Sequence, residues 1–169
     1  MTRSGFVAIL GRPNVGKSTL LNAIIGEKVS ITSATPNTTR HAIRGILTND
    51  ETQVVFVDTP GLHRPKSALG GRMNATARQS ASGVDVLVAM LDSRSSIGPG
   101  DRTVLTTMLE TAGLNGPIPI VVVNKIDRTA NEATATALLD VAAAVSTLAT
   151  ELGREAAAER VEYFPVSAK

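Results

Sequence analysis

The 169-residue chain has no cysteine, no tryptophan, one tyrosine and three phenylalanines. Without cysteine it can hold neither a disulfide framework nor a thiolate zinc site, which is compatible with a reducing compartment and does not demand one. The shortage of aromatics removes the stacking platforms on which single-stranded nucleic acid is usually held. Charge of one sign is lacking as well. Lys and Arg number 17 against 15 Asp and Glu, a formal +2, and no basic stripe suited to a nucleic-acid backbone is evident. No secretory leader pattern precedes the first apolar segment. No apolar run is read as approaching the roughly 18–20 residues that span a bilayer. Neither an internal repeat nor a low-complexity linker divides the chain, so a single domain over residues 1–169 is expected. What is present is a hydrophobic share of 43%, well above that of a disordered chain.

Apolar, β-branched runs at 6–10, 54–57, 84–91 and 120–123 read as strands buried on both faces. Residues 43–48, a polar Asn49-Asp50-Glu51 turn and the run from Gln53 read as a hairpin, which makes one strand an antiparallel edge. Residues 17–26, 71–82 and 101–112 suit helices. A longer helix over 131–152 follows from Leu138, Val141, Val145, Leu148 and Leu152, spaced at three and four. Strand alternating with helix predicts an α/β fold, a mostly parallel sheet with helices on both faces. A last strand at 162–166 runs into Ser167-Ala168-Lys169. A covering helix is expected to follow such a strand, so the chain is read as a piece of a longer protein.

The first strand ends in Gly11-Arg12-Pro13-Asn14-Val15-Gly16-Lys17-Ser18, a full match to the phosphate-binding loop pattern. Its glycines let the backbone wrap phosphate oxygens, so that successive N–H groups converge at the start of a helix. Lys17 would neutralise the β- and γ-phosphates and Ser18 would ligate Mg²⁺. Thr19 adds a backbone N–H for the α-phosphate. The loop specifies a nucleoside triphosphate and is silent on the base.

Asp58-Thr59-Pro60-Gly61 stands at the end of another apolar strand. Alone, a Pro-Gly turn is ordinary structure. Paired with the first loop, Asp58 can reach Mg²⁺ through water and Gly61 can offer its N–H to the γ-phosphate. The base is named by Asn124-Lys125-Ile126-Asp127. The Asp127 carboxylate can accept from guanine N1–H and the 2-amino group, a donor pair that adenine lacks, for a discrimination of about 2–4 kcal/mol. Lys125 can lay its stem over the base, and Asn124 can tie loops together or bond the base. Ser167-Ala168-Lys169 can supply a backbone N–H to guanine O6, a weak signal alone and a stronger one as the last of an ordered series.

Gly11 through Ser18, Thr39, Asp58 through Gly61, Asn124 through Asp127 and Ser167 through Lys169 together resemble the ordered motifs of the translation-factor-related small GTPases. Ile31-Thr32-Ser33, Thr38-Thr39-Arg40-His41 and the run from Asp58 to Leu62-His63 are most similar to the Era-type GTPases, over essentially the whole chain. The resemblance implies a P-loop G domain that hydrolyses GTP slowly and acts as a switch in small-subunit ribosome assembly. It implies a first switch over 28–42, in which Thr39 gives its hydroxyl to Mg²⁺ and its N–H to the γ-phosphate. A second switch over 61–75 would use Gly70-Gly71 as pivots. Lys17, Thr39 and Gly61 carry the catalytic contacts on this reading, and Leu62 lies within the nucleotide-binding set. Leu62 falls where Ras-like proteins carry a water-orienting glutamine, and it can neither donate nor accept a hydrogen bond. Some relatives use the residue matching Asn14 to help bind K⁺. His63, His41 and Arg40 are read as solvent- or partner-facing rather than catalytic. Era-type proteins continue into a KH-type RNA-binding domain, not readable in these residues, through which ribosomal RNA and the small subunit become partners. The family further implies a cytoplasmic monomer with peripheral membrane association, for which no amphipathic anchor is read here. Two alternatives stay open: a GTP-sensing binding module with negligible turnover, and a related GTPase of tRNA modification or large-subunit assembly.

Overall fold

In a computed structural model of the protein, residues 3–26, 43–59, 61–62, 68–81, 83–113 and 115–169 are described. Thr39, Arg40, His41, Pro60, His63 and the whole of the expected first switch, residues 28–42, lie outside them. Strands β1 (Arg3–Gly11), β2 (Ile43–Thr48), β3 (Thr52–Asp58), β4 (Val86–Asp92), β5 (Ile118–Asn124) and β6 (Glu162–Val166) form one sheet in the order β2-β3-β1-β4-β5-β6. Only β2 and β3 pair antiparallel; the other neighbours are parallel. The hairpin closes as expected, with Asn49 accepting Thr52 N–H at 2.7 Å through Oδ1.

Helices α1 (Lys17–Ile25), α2 (Ala68–Ala81), α3 (Pro99–Ala112), α4 (Asn131–Leu152) and α5 (Glu155–Ala158) pack around the sheet. One face carries Ala8, Leu10, Leu87, Ala89, Leu91, Val121 and Val123, sealed against Ala77, Val104, Leu105, Met108, Val141 and Val145 from α2, α3 and α4. The other face sets Ile9, Phe56, Val88, Met90 and Val122 against Val15 in the phosphate loop and Leu21 of α1. The central strands are thus apolar on both faces because both faces are covered. Every parallel strand points its C-terminal end to the same rim, where the phosphate loop lies.

Several boundaries differ from the sequence reading. β4 begins at Val86 rather than at residue 84, because Asp85 is spent at the sheet margin, where it accepts Phe6 N–H at 2.7 Å. α3 begins at Pro99, whose missing N–H is harmless in a first turn. α2 begins at Ala68, so Gly70 and Gly71 lie in its first turn. The expectation that no segment reaches membrane-spanning length is corrected by α4, a 22-residue helix in which an 18-residue window has mean hydropathy 1.4. Alanine raises that figure. Its inner stripe of Val141, Val145 and Leu148 packs on the core.

Candidate nucleotide-binding site

Residues 11–18 turn from β1 into α1, and the turn requires unusual backbone. Asn14 takes φ 64° and Gly16 φ 107°. At Gly16 glycine is needed twice over, since its φ is disfavoured for L side chains and a Cβ would collide with the Asn124 amide. The sharp turn lifts the backbone N–H groups of the first α1 turn toward the loop interior, where the helix dipole adds partial positive charge. Lys17 is buried, and its Nζ donates to the carbonyls of Gly11 at 3.2 Å and Arg12 at 3.0 Å. The ammonium is thereby kept inside the loop it would serve.

The segment after β3 lies against this loop. Thr59 is fully buried and its hydroxyl donates to Ile9 O at 2.6 Å, while Leu62 N–H donates to Gly11 O at 3.0 Å. Leu62 is itself fully buried in the core shared with α2 and α3. It therefore anchors the chain just after β3 to the core and offers no hydrogen-bonding side-chain group there.

On the far side, β5 and β6 bring together the residues predicted to read the base. Asn124 is buried; its Nδ2 donates to Val15 O at 2.8 Å and its Oδ1 accepts Ala168 N–H at 3.0 Å. One amide thus fastens the phosphate loop, β5 and the segment after β6 together. Lys125, at φ 71°, donates from Nζ to Asn14 O and to Asp92 Oδ2, both at 2.7 Å. A 3-10 turn, Ile126–Arg128, then presents Asp127. Ser167 Oγ donates to Asp127 Oδ1 at 2.7 Å, and this bond foremost holds the carboxyl below its usual range. An ionised Asp127 accepts only, and its remaining lone pairs suit a pair of adjacent donors. These residues bound a cleft of about 320 Å³, walled by Gly16 and Thr19, by Lys125, Asp127 and Arg128, and by Ala168 and Lys169. Its size is at the lower end for a ligand site.

Residues 6–125 match the family described as 50S ribosome-binding GTPase. The chain belongs to that family. Among curated relatives of this GTPase family, GTPase Era of Mycobacterium tuberculosis (strain H37Rv) is 47% identical over 165 residues, 98% of this chain and 51% of its own length. GTPase Era of Caldanaerobacter subterraneus is 54% identical over 125 residues, 74% of this chain and 41% of its own. The chain spans about half the length of the curated relatives it matches. A crystal structure of Era with MgGDPNP and nucleotides 1506–1542 of 16S ribosomal RNA superimposes with TM-score 0.79 at 36% identity, over 99% of this chain and 52% of that one. The Aquifex aeolicus Era variant bound to GDP and aluminium fluoride gives TM-score 0.75 at 37% identity, over 99% and 52%. The mostly parallel sheet with one antiparallel strand is the G-domain fold that the motifs predicted.

A GTPase of this family works with Mg²⁺, and the donor set here fits that ion. Ser18 lies in the first turn of α1, and Asp58 ends β3 in register with Ile9, two residues before the phosphate loop. Hydroxyl and carboxylate oxygens are the hard ligands that Mg²⁺ takes alongside phosphates and water. Among the described residues, no group of three or more His, Asp or Glu could cage a metal without phosphate.

Sequence reasoning missed a second tier behind the motifs. Asp92 accepts from Arg94 Nε at 2.9 Å and Nη2 at 2.8 Å as well as from Lys125. Burial pushes its carboxyl up, but these bonds outweigh burial and hold it well below the carboxylate range. Asp101 is buried and accepts from Arg12 Nε at 2.6 Å. The signals were faint: an Asp closing an apolar strand, and an acidic residue third in a Pro-led helix.

Proposed function

We propose that this domain binds GTP and GDP in the cleft between the phosphate loop and Asp127. It hydrolyses GTP slowly and changes state when the γ-phosphate leaves. The reading is carried by one observation: the Asp127 carboxylate, positioned by a 2.7 Å hydrogen bond from Ser167, opens on a cleft of about 320 Å³ that shares Gly16 and Thr19 with the phosphate loop. Gly11 through Thr19 would hold the phosphates, with Lys17 neutralising them. Ser18 and Thr39 would ligate Mg²⁺ directly and Asp58 through water, and Gly61 would sense the γ-phosphate. Asp92 at the end of β4 pairs with Asn124 at the end of β5, which keeps the two halves of the cleft in register. When bound, Mg²⁺ supplies charge compensation at the β- and γ-phosphates. Measuring the binding of GTP, GDP, ATP and XTP with Mg²⁺ tests the reading. Guanine nucleotides should win by about thirtyfold to about a thousandfold over ATP, given about 2–4 kcal/mol of edge recognition. Equal affinities would refute it.

The setting is taken to be that of Era. The likeness to Era relatives spans 98% of the chain, and a neighbour at 36% identity was crystallised on 16S ribosomal RNA. The whole protein would accordingly act on the small ribosomal subunit through a KH domain, in the cytoplasm, as a monomer that can contact the membrane peripherally. The buried Leu62 favours one competing view, a GTP-sensing module without useful turnover. Single-turnover hydrolysis with and without small subunits separates them, because the module shows no acceleration. We also assign Asn14 a K⁺ contact, supported by its place on the strained inner turn. Equal turnover in KCl and NaCl would remove that ion from the mechanism.

A further inference from the structure

The phosphate loop is held at two points by a stretch that none of the nucleotide motifs includes. This stretch is the connection from the end of β4 to the first turn of α3, residues 92–101. At the first point, Arg12 leaves the loop and lies along α3. Its Nε donates to Asp101 Oδ1 at 2.6 Å and its Nη2 to Ser95 Oγ at 3.1 Å. Asp101 Oδ2 accepts Gly98 N–H at 3.0 Å, so the carboxylate is fixed from both sides before Arg12 arrives. The Arg12 stem crosses Gly100 so closely that a Cβ there would stand 2.6 Å from Arg12 Cδ. At the second point, Asp92 holds Lys125, and the same ammonium grips Asn14 O. Ser93 N–H donates to Asn124 O at 2.9 Å and ties the stretch to β5 as well.

We propose that Asp101, acting through Arg12, and Asp92, acting through Lys125, are positioning residues that clamp the phosphate loop and set how long a nucleotide is retained. The inference rests on the reading that the cleft binds a guanine nucleotide. The loop places Asn14 and Gly16 in left-handed backbone, a conformation that persists only where surrounding contacts over-determine it. Asn14 and Arg12 are the residues the clamp grips. Asp101 also draws the Arg12 guanidinium sideways into an ion pair on α3. Arg12 thus serves the site by fixing its backbone and not by reaching the phosphates. Asp101 is almost wholly buried at 3% exposure and Arg12 partly so at 32%, which makes the pair less screened than a surface bridge.

The test is release of a fluorescent GDP, chased with unlabelled GDP, from the full chain and from Arg12→Ala, Asp101→Asn and the double variant. Asp101→Asn keeps an oxygen for Gly98 N–H and removes the charge, so the α3 cap survives while the clamp is lost. Each single variant should release GDP about tenfold faster, the size of one charge-assisted hydrogen bond. The double variant should be no faster than the quicker single, because both changes cut the same link. Asp92→Asn should quicken release by a comparable factor, and adding it to Asp101→Asn should multiply the two effects. Melting temperatures are read in parallel. A lowered melting temperature with release within about twofold of the unaltered chain would mean a purely structural pair and overturn the clamp. So would multiplicative effects of Arg12→Ala and Asp101→Asn. If the unaltered chain itself takes up no labelled GDP, the nucleotide reading falls first and carries the clamp with it.

Discussion

The two ends of the cleft solve recognition differently. At the phosphate end the contacts proposed are backbone N–H groups, and the protein's task would be to hold a peptide loop that has φ 64° and 107° at two positions. At the base end the contact proposed is one side chain, Asp127, and the task would be to aim a carboxylate, toward which the Ser167 hydroxyl donates at 2.7 Å. Asn124 joins the ends, since its amide bonds Val15 on one side and Ala168 on the other. The difference teaches where each end is vulnerable. Shape at the phosphate end depends on many residues, with Lys17 as the charge inside the loop. Specificity at the base end depends on one residue and its partner.

The largest expected effect is therefore Lys17→Ala. It removes the ammonium that would meet two phosphates, each charge-assisted bond being worth about 1.5–3 kcal/mol, so GTP affinity should fall by at least about a hundredfold. GTP and GDP titrations should show the larger loss for GTP. An equal loss for both would mean that Lys17 reads no γ-phosphate. Next comes Asp127→Asn, which replaces the acceptor pair with an acceptor and a donor. Preference should move from guanine toward xanthine nucleotides, with a GTP loss of about 2–4 kcal/mol and little change in melting temperature. This variant would separate the two ends cleanly, because the phosphate loop is untouched.

Asn124→Ala sharpens the comparison from the middle. The side chain is buried and both ends of its amide are used, so Val15 O and Ala168 N–H would each lose a partner. A destabilisation of about 2–4 kcal/mol is expected, a drop of roughly 4–16 °C in melting temperature for a domain of this size. Affinity for GTP and ATP should suffer alike, since the residue organises the cleft rather than reading the base.

How much of this was legible beforehand follows the same division. The phosphate loop, the segment after β3, and Asn124 through Asp127 are contiguous runs, and their spacing carries their chemistry. The mostly parallel sheet and the antiparallel β2–β3 pair followed from apolar runs and one polar turn. What could not be read were pairs remote in sequence, 89 residues apart for Arg12 and Asp101 and 33 apart for Lys125 and Asp92. Nothing local marks an aspartate at one strand end as the partner of a lysine just past the end of the next strand. The role of Leu62 was half legible. Its inability to orient water was plain from its chemistry, whereas its use as a core anchor depends on α2 and α3 closing over it. Helix α4 shows the opposite failure. Its leucines and valines at three and four placed it correctly, yet its alanine content gives a hydropathy that length and composition cannot tell from a membrane span.

The smallest expected effect probes the carboxylate at the base end. The Ser167 hydroxyl is the foremost cause of the depressed Asp127 pKa. A depressed carboxylate stays charged at pH values where a free one, at about 3.9, begins to protonate. Its contribution to guanine binding is complete at neutral pH and is lost only as pH falls through the lowered folded value. Ser167→Ala removes the donor, so the Asp127 pKa rises toward the free value and the acid limb of GDP binding moves to higher pH. At neutral pH the same change should weaken GDP by about 0.5–1.5 kcal/mol, roughly two- to tenfold, through loss of aim. Asp92 complicates the acid limb, because its own carboxyl is depressed by Arg94 and Lys125 against burial. Its stabilising effect is likewise present above the free carboxylate pKa and fades below it. The Asp92→Asn background isolates Asp127, and there the shift produced by Ser167→Ala should persist. A shift that vanished in that background would assign the acid limb to the phosphate end of the cleft.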